Sequence, residues 1–144
     1  MHDLERRAQA VRATLSHWQG KPFAYGAVDC VKVGAWHLRQ MGHHLTLGLA
    51  KAGTYRSAKG AKRALTRAGH DSVAAALLAA GLEQIPLAMA LPGDLVLAEG
   101  SHGLESVGIL IGNGAIAGFH EDAPDAGLQV IRLNSFAPVE AWRA

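Results

Sequence analysis

Apolar residues recur at helical spacing in the first half of the chain. Near the N-terminus they follow one another at steps of four, three, four and three: Leu4, Ala8, Val11, Leu15 and Trp18. This spacing is typical of an amphipathic helix and predicts one over residues 3–19, with Asp3 as its cap. Three further helices are predicted between polar capping residues and terminating glycines, at residues 30–41, 57–68 and 73–80.

The pattern changes after Pro92. Short apolar runs of strand length follow, at residues 94–98, 106–111, 115–119 and 128–133. Gly112-Asn113-Gly114 joins two of them, and Asn-Gly is a strong hairpin signal. Helices followed by antiparallel strands predict an α+β domain with the helices packed on a small sheet. We find no repeat or linker, so residues 1–144 are expected to form a single domain.

Composition narrows the class of protein. A hydrophobic fraction of 49% and a charged fraction of 18% are typical of a globular chain. No apolar run approaches the roughly 18 residues that a membrane-spanning helix needs. The N-terminus has no apolar signal core, which predicts a protein that stays in the cytoplasm of the cell that makes it unless an assembly carries it out.

Charge is unevenly distributed along the chain. Residues 1–70 hold twelve Lys/Arg and three Asp/Glu, a balance of +9, and residues 71–144 hold two and nine, a balance of −7. One interpretation is that the two halves attract each other within the fold or are simply solvated. The other is that the basic half binds an acidic protein, an anionic cell-wall polymer or nucleic acid. Nucleic acid is the weakest of these partners, because the basic residues lack interleaved aromatics, and we expect none.

Cys30 is the one cysteine in the sequence, which excludes an internal disulfide and a multi-cysteine zinc site. It follows Asp29, a good N-cap, at the start of a predicted helix. Unpaired N–H groups and the positive end of the helix dipole favour a thiolate there. Cys30 is therefore a candidate nucleophile, and the alternative is a small apolar residue packed at a helix start.

The sequence predicts no metal or cofactor site. His43-His44 has no carboxylate or cysteine at ligand spacing, and His17 and His37 are expected on partly exposed helix faces. Gly112-Asn113-Gly114 precedes a strand, whereas a nucleotide-binding loop precedes a helix.

Three motifs in order resemble the NlpC-type cell-wall cysteine peptidases. They are Pro22-Phe23-Ala24-Tyr25-Gly26 followed by Asp29-Cys30, then Pro92-Gly93-Asp94-Leu95-Val96-Leu97, then Val107-Gly108-Ile109-Leu110-Ile111-Gly112-Asn113-Gly114. The resemblance spans roughly residues 18–120. It implies a papain-like α+β fold, with N-terminal helices packed on a small antiparallel sheet.

The resemblance also implies roles for individual residues. Cys30 corresponds to the nucleophile, and Tyr25 and Asp29 are expected to line the substrate site. The histidine base falls on Ser106, which is a poor proton acceptor near neutral pH, and the residue that orients the base falls near Gly118. His102 and His120 are the substitute candidates. They lie two to four positions away along the strands, or roughly 6–13 Å.

A narrower resemblance points to phage and prophage tail-assembly proteins. It rests on the Trp-x-Gly-x-Pro-Phe start at residues 18–23, on Tyr55-Arg56-Ser57 and on Ala141-Trp142-Arg143. It implies a tail-tip or tail-assembly structural protein of the virion, with a degenerate peptidase fold, whose partners are other tail or baseplate proteins. The alternative is an active endopeptidase or amidase that cleaves peptidoglycan during cell-wall penetration.

Overall fold

The computed structural model describes residues 2–44, 55–120 and 123–144. Helices in these ranges are α1 (Asp3–Trp18), α2 (Cys30–Gln40), α3 (Ala58–Arg67), α4 (Val73–Ala79) and α5 (Leu133–Phe136). Strands are β1 (Glu83–Ile85), β2 (Leu95–Ala98), β3 (Ser106–Gly112), β4 (Ala115–Gly118), β5 (Gln129–Arg132) and β6 (Glu140–Arg143). None of the described helices is both long enough and apolar enough to cross a bilayer.

The strands form one sheet in the order β1-β6-β2-β3-β4-β5, and each neighbouring pair is antiparallel. Helices packed on an antiparallel sheet confirm the α+β class predicted from the sequence. The sequence pattern did not reveal β1 and β6, because their pairing with each other and with β2 joins segments that are distant in the sequence. Pairing holds β6 in place, with Trp142 opposite Leu95 of β2 and Gln84 of β1.

The helix starts follow the expected capping chemistry with one correction. The side chains of Asp29, Ser57 and Ser72 accept backbone N–H groups at the starts of α2, α3 and α4. The predicted Asp3 cap of α1 is wrong, because His2 accepts the N–H of Leu4 through Nδ1. The Asp3 carboxylate instead accepts hydrogen bonds from arginines one turn along the helix.

The main core lies between the helices and one face of the sheet, and α2 packs against β3. Gly34 makes this close approach possible, because a Cβ there would lie 3.1 Å from Cγ1 of Val107. A smaller apolar cluster covers the other face of the sheet, where Phe136 of α5 packs with Val96 and Ile116. The packing of α2 on β3 brings Cys30 to the first residues of β3.

His37 lies inside this core, so the expectation of a partly exposed helix face is wrong for it. Its Nε2 donates to the carbonyl of Gly93 at 2.8 Å, and its Nδ1 lies 2.7 Å from Oγ1 of Thr14. Burial lowers the pKa of His37 to about 4, so the ring is neutral at pH 7. Hydrogen bonds at both ring nitrogens explain how α2 carries a histidine on its apolar face.

Candidate active-site cleft

A cleft of about 550 Å³ opens where the start of α2 meets the start of β3. Its walls come from the loops before α2 and after β4, from the β2–β3 connection and from α5. The lining residues include Phe23, Tyr25, Cys30, Ala58, Glu99, Ser101, Glu105, Ser106, Val107, Phe119, His120, Ile131, Ser135 and Phe136.

Cys30 is the first residue of α2 and is partly exposed to the cleft. Asp29 directly precedes it and is buried, with Oδ1 accepting the N–H of Lys32 at 2.9 Å. Its Oδ2 accepts the N–H of Gly26 at 2.8 Å and the hydroxyl of Tyr55 at 2.7 Å. Asp29 is thus fixed behind the thiol as a helix cap and is not among the lining residues, whereas Tyr25 is.

Gly26 is required in the loop that leads to Cys30. Its φ is +84°, and a Cβ at this position would lie 2.4 Å from the backbone oxygen of Tyr55. Only glycine combines this backbone conformation with so close a neighbour. The loop therefore presses against Tyr55, whose hydroxyl reaches Asp29, and this contact fixes the position of Cys30.

The Cys30 thiol is held in its protonated form. Burial is the main cause that raises the pKa of Cys30 to about 12, and the negative charge of Asp29 raises it as well. A backbone hydrogen bond from Val107 acts in the opposite direction and lowers the pKa. Backbone N–H groups at the helix start also favour the thiolate, as the sequence predicted, but the loss of hydration outweighs them. The thiol is well placed for attack on a ligand in the cleft, and its charge state is unfavourable for it.

The strand opposite Cys30 offers no base at the expected positions. Ser106 lines the cleft at the start of β3, next to the Val107 backbone that contacts the thiol. Gly118 lies in β4, where an added Cβ would meet Ile116 and Ile131 at 3.2 Å. Aliphatic side chains thus enclose the place where a polar orienting residue is expected.

The two substitute histidines lie in different surroundings. His120 lines the cleft with Cys30, whereas His102 is not among the lining residues and is exposed in a 3₁₀ turn with φ of 55°. The pairing of β4 with β3 begins at Ala117 opposite Ile109, and His120 follows the end of β4 by two residues. Ser106 and His120 both line the cleft. The two substitute candidates are therefore not equivalent, because His120 shares the cleft with Cys30.

The structure adds residues to the cleft that the sequence reasoning did not single out. Phe23 contacts Tyr25 and Phe119 edge to face, with ring centroids 4.8 and 5.1 Å apart, and forms an aromatic wall. Glu99 and Glu105 lie among the lining residues, and the Glu105 carboxylate accepts two N–H groups at the start of α4. Since isolated glutamates carry no motif, only the folded chain reveals them.

The described part of the chain holds no group of three or more His, Cys, Asp or Glu side chains arranged to bind a metal ion. The described lining residues supply a thiol, hydroxyls, carboxylates and the imidazole of His120.

Two solved structures share this architecture. NlpC1 from Trichomonas vaginalis is similar over 100% of this chain with a TM-score of 0.60 and 13% identity, and NlpC2 from the same organism over 99% with a TM-score of 0.57 and 13% identity. The chain spans about half the length of each, 46% and 49% respectively. Identity at this level supports the NlpC-like, papain-like α+β fold alone.

Sequence comparison gives a family without a function. No curated protein sequence matches the chain. A family model described as "Domain of unknown function (DUF6950)" matches residues 3–144. The chain therefore belongs to the DUF6950 family and has the NlpC-like fold.

Proposed function

We propose that this chain is a non-hydrolysing NlpC-fold module that serves as a structural part of a phage or prophage tail. The observation that carries the proposal is the state of Cys30, which sits at the nucleophile position with a pKa of about 12. A thiol whose pKa is raised so far is mainly protonated at pH 7. Since the thiolate is the nucleophile, the resting cleft is poorly prepared for acyl transfer.

The surroundings of Cys30 support the same proposal. A base must lie within hydrogen-bond reach of the thiol, and the side chain at the expected position is the hydroxyl of Ser106. Asp29 contributes a negative charge next to the sulfur, which opposes ionisation. The Gly118 position is enclosed by Ile116 and Ile131 and offers nothing to orient an imidazole.

The tail assignment rests on the sequence resemblance at residues 18–23, 55–57 and 141–143. In this role the chain contacts other tail or baseplate proteins and reaches the cell surface as part of the virion. A module of this kind needs a stable fold and specific surfaces, and it does not need an ionised thiol.

Thiol chemistry and particle assembly test the proposal together. We expect iodoacetamide to alkylate Cys30 slowly between pH 6 and 8, with a rate that keeps rising at alkaline pH. Phage carrying Cys30→Ala should assemble particles with normal yield, and the protein should be detected in purified particles. Release of peptidoglycan fragments that disappears in Cys30→Ala would contradict the non-hydrolysing role, and absence of the protein from particles would contradict the tail role.

The position of His120 favours a second candidate function, a peptidoglycan-cleaving cysteine endopeptidase or amidase. In that reaction Cys30 attacks a carbonyl carbon, and His120 takes the thiol proton and returns it to the leaving amine as the C–N bond breaks. Water then hydrolyses the thioester and restores the thiol. His120→Asn should then abolish fragment release, while His102→Asn, on a side chain outside the cleft, should leave it unchanged. Equal activity of both variants would exclude His120 as the base.

A further inference from the structure

The outer face of α3 carries a row of cations. Arg56 precedes the helix, and Lys59, Arg63 and Arg67 follow at steps of three, four and four, all exposed. We call these four residues the basic face. The opposite side of α3 is buried through small and apolar residues: Ala58, Ala61, Ala64 and Leu65. The basic face therefore points away from the core.

Helix stability does not account for this row. Lys59 and Arg63, and Arg63 and Arg67, are like charges four residues apart, which destabilise a helix. Lys59 also lies in the first turn, where the dipole disfavours a cation, and α3 has no acidic residue in that turn. Residues 30–70 contain no Asp or Glu. A role in binding explains the cations at Lys59 and Arg63, whose placement the helix itself disfavours.

An acidic surface adjoins the basic face. Among the described residues, the cleft lining contains Glu99 and Glu105 and no Lys or Arg, and exposed Asp125 follows the lining residue Pro124. We call these three carboxylates the acidic rim. Ala58, the first residue of α3, lines the same cleft, and the turn Ser101–Gly103 packs against α3. The start of α3 and the turn Ser101–Gly103 therefore connect the basic face to the cleft that carries the acidic rim.

We infer that the chain associates with a second copy of itself, with the basic face of each copy against the acidic rim of the other. Adjoining surfaces of opposite charge are self-complementary under a two-fold axis, since each copy then supplies both halves of the contact. Charge complementarity of this kind sets register and orientation. The inference does not depend on the reactivity of Cys30.

Sedimentation equilibrium on the full chain tests the inference. The wild type should dimerise at low ionic strength and dissociate as salt screens the surface charges. Lys59→Glu/Arg63→Glu and Glu99→Lys/Asp125→Lys should each be monomeric alone, because like charges then face each other. An equimolar mixture of the two variants should form a heterodimer, since one contact is native and the other is restored with its signs reversed.

The controls separate recognition from folding. Lys59→Glu removes a cation from the first turn of α3, so the thermal midpoint of this variant should not fall. Arg12→Glu reverses an exposed cation on α1, outside both surfaces, and should leave dimerisation unchanged. A wild type that stays monomeric at every salt concentration overturns the inference, including one that binds an acidic protein or duplex DNA instead. A dimer insensitive to salt and to both charge reversals overturns it as well.

Discussion

The hydroxyl of Tyr55 donates a 2.7 Å hydrogen bond to the carboxylate of Asp29, one residue before Cys30. This contact joins the start of α2 to the segment that leads into α3. It also keeps a buried charge satisfied behind the thiol.

Tyr55→Phe tests the importance of this bond. The ring remains in place while Asp29 loses one donor, so we expect a loss of about 1.5–3 kcal/mol in the free energy of unfolding, as for hydrogen bonds to charged groups. Urea denaturation measures it. A double-mutant cycle with Asp29→Asn should show coupling between the two sites, and additive effects would mean that the bond contributes little.

Ser106→His should restore a base next to Cys30. An imidazolium within a few ångströms of the sulfur stabilises the thiolate and lowers the thiol pKa by about one to three units, so alkylation near pH 7 should accelerate about ten- to a thousandfold. Stopped-flow alkylation measures the rate. Ser101→His, which lies elsewhere on the cleft wall, is the control. An unchanged rate in Ser106→His would show that position 106 does not face the sulfur.

The neutral state of His37 makes stability depend on pH. The folded-state pKa of about 4 is below the ordinary value near 6.5, so the folded chain binds the proton less well than the unfolded chain. The contribution of neutral His37 to the free energy of unfolding is about 3 kcal/mol. It is fully present above pH 6.5 and is lost as the pH falls through 4. The slope of unfolding free energy against pH should decrease in His37→Gln. A slope between pH 4 and 6.5 that is the same in His37→Gln as in the wild type would contradict this assignment.

A buried ion pair ties the N-terminal helix to the sheet. Arg7 Nη1 lies 2.9 Å from Oδ1 of the fully buried Asp94, which also pairs with Arg143 at 3.0 Å. Arg7→Met removes one cationic partner of this carboxylate and should lower the free energy of unfolding by about 3 kcal/mol, because a buried charge that loses its partner is unfavourable. Arg6→Met removes an exposed pair with Asp3 and a hydrogen bond to the Met41 carbonyl, and it should lower the free energy of unfolding by less than Arg7→Met does. Thermal or urea denaturation of the two variants makes the comparison, and equal losses would contradict it.

Local sequence patterns predicted α1 to α4 and the hairpin of β3 and β4 to within a few residues. Capping residues and glycines act over one helical turn, so their effect is visible without the rest of the chain. The same reasoning placed His37 on a partly exposed face. The prediction for His37 was wrong because its hydrogen-bond acceptor, the carbonyl of Gly93, lies 56 positions away in the sequence. The short strands β1 and β6 were missed for the same reason, since distant pairing defines them.

The sequence by itself determined where Cys30 sits relative to its helix, because Asp29 and the N–H groups around it are neighbours in the chain. Only the tertiary structure decided what state that thiol adopts and which histidine shares its cleft. Burial and the approach of β3 set the thiol pKa, and the segment after β4 brought His120 to the cleft that Cys30 lines. Both effects depend on segments that meet only after folding, so no local pattern encodes them.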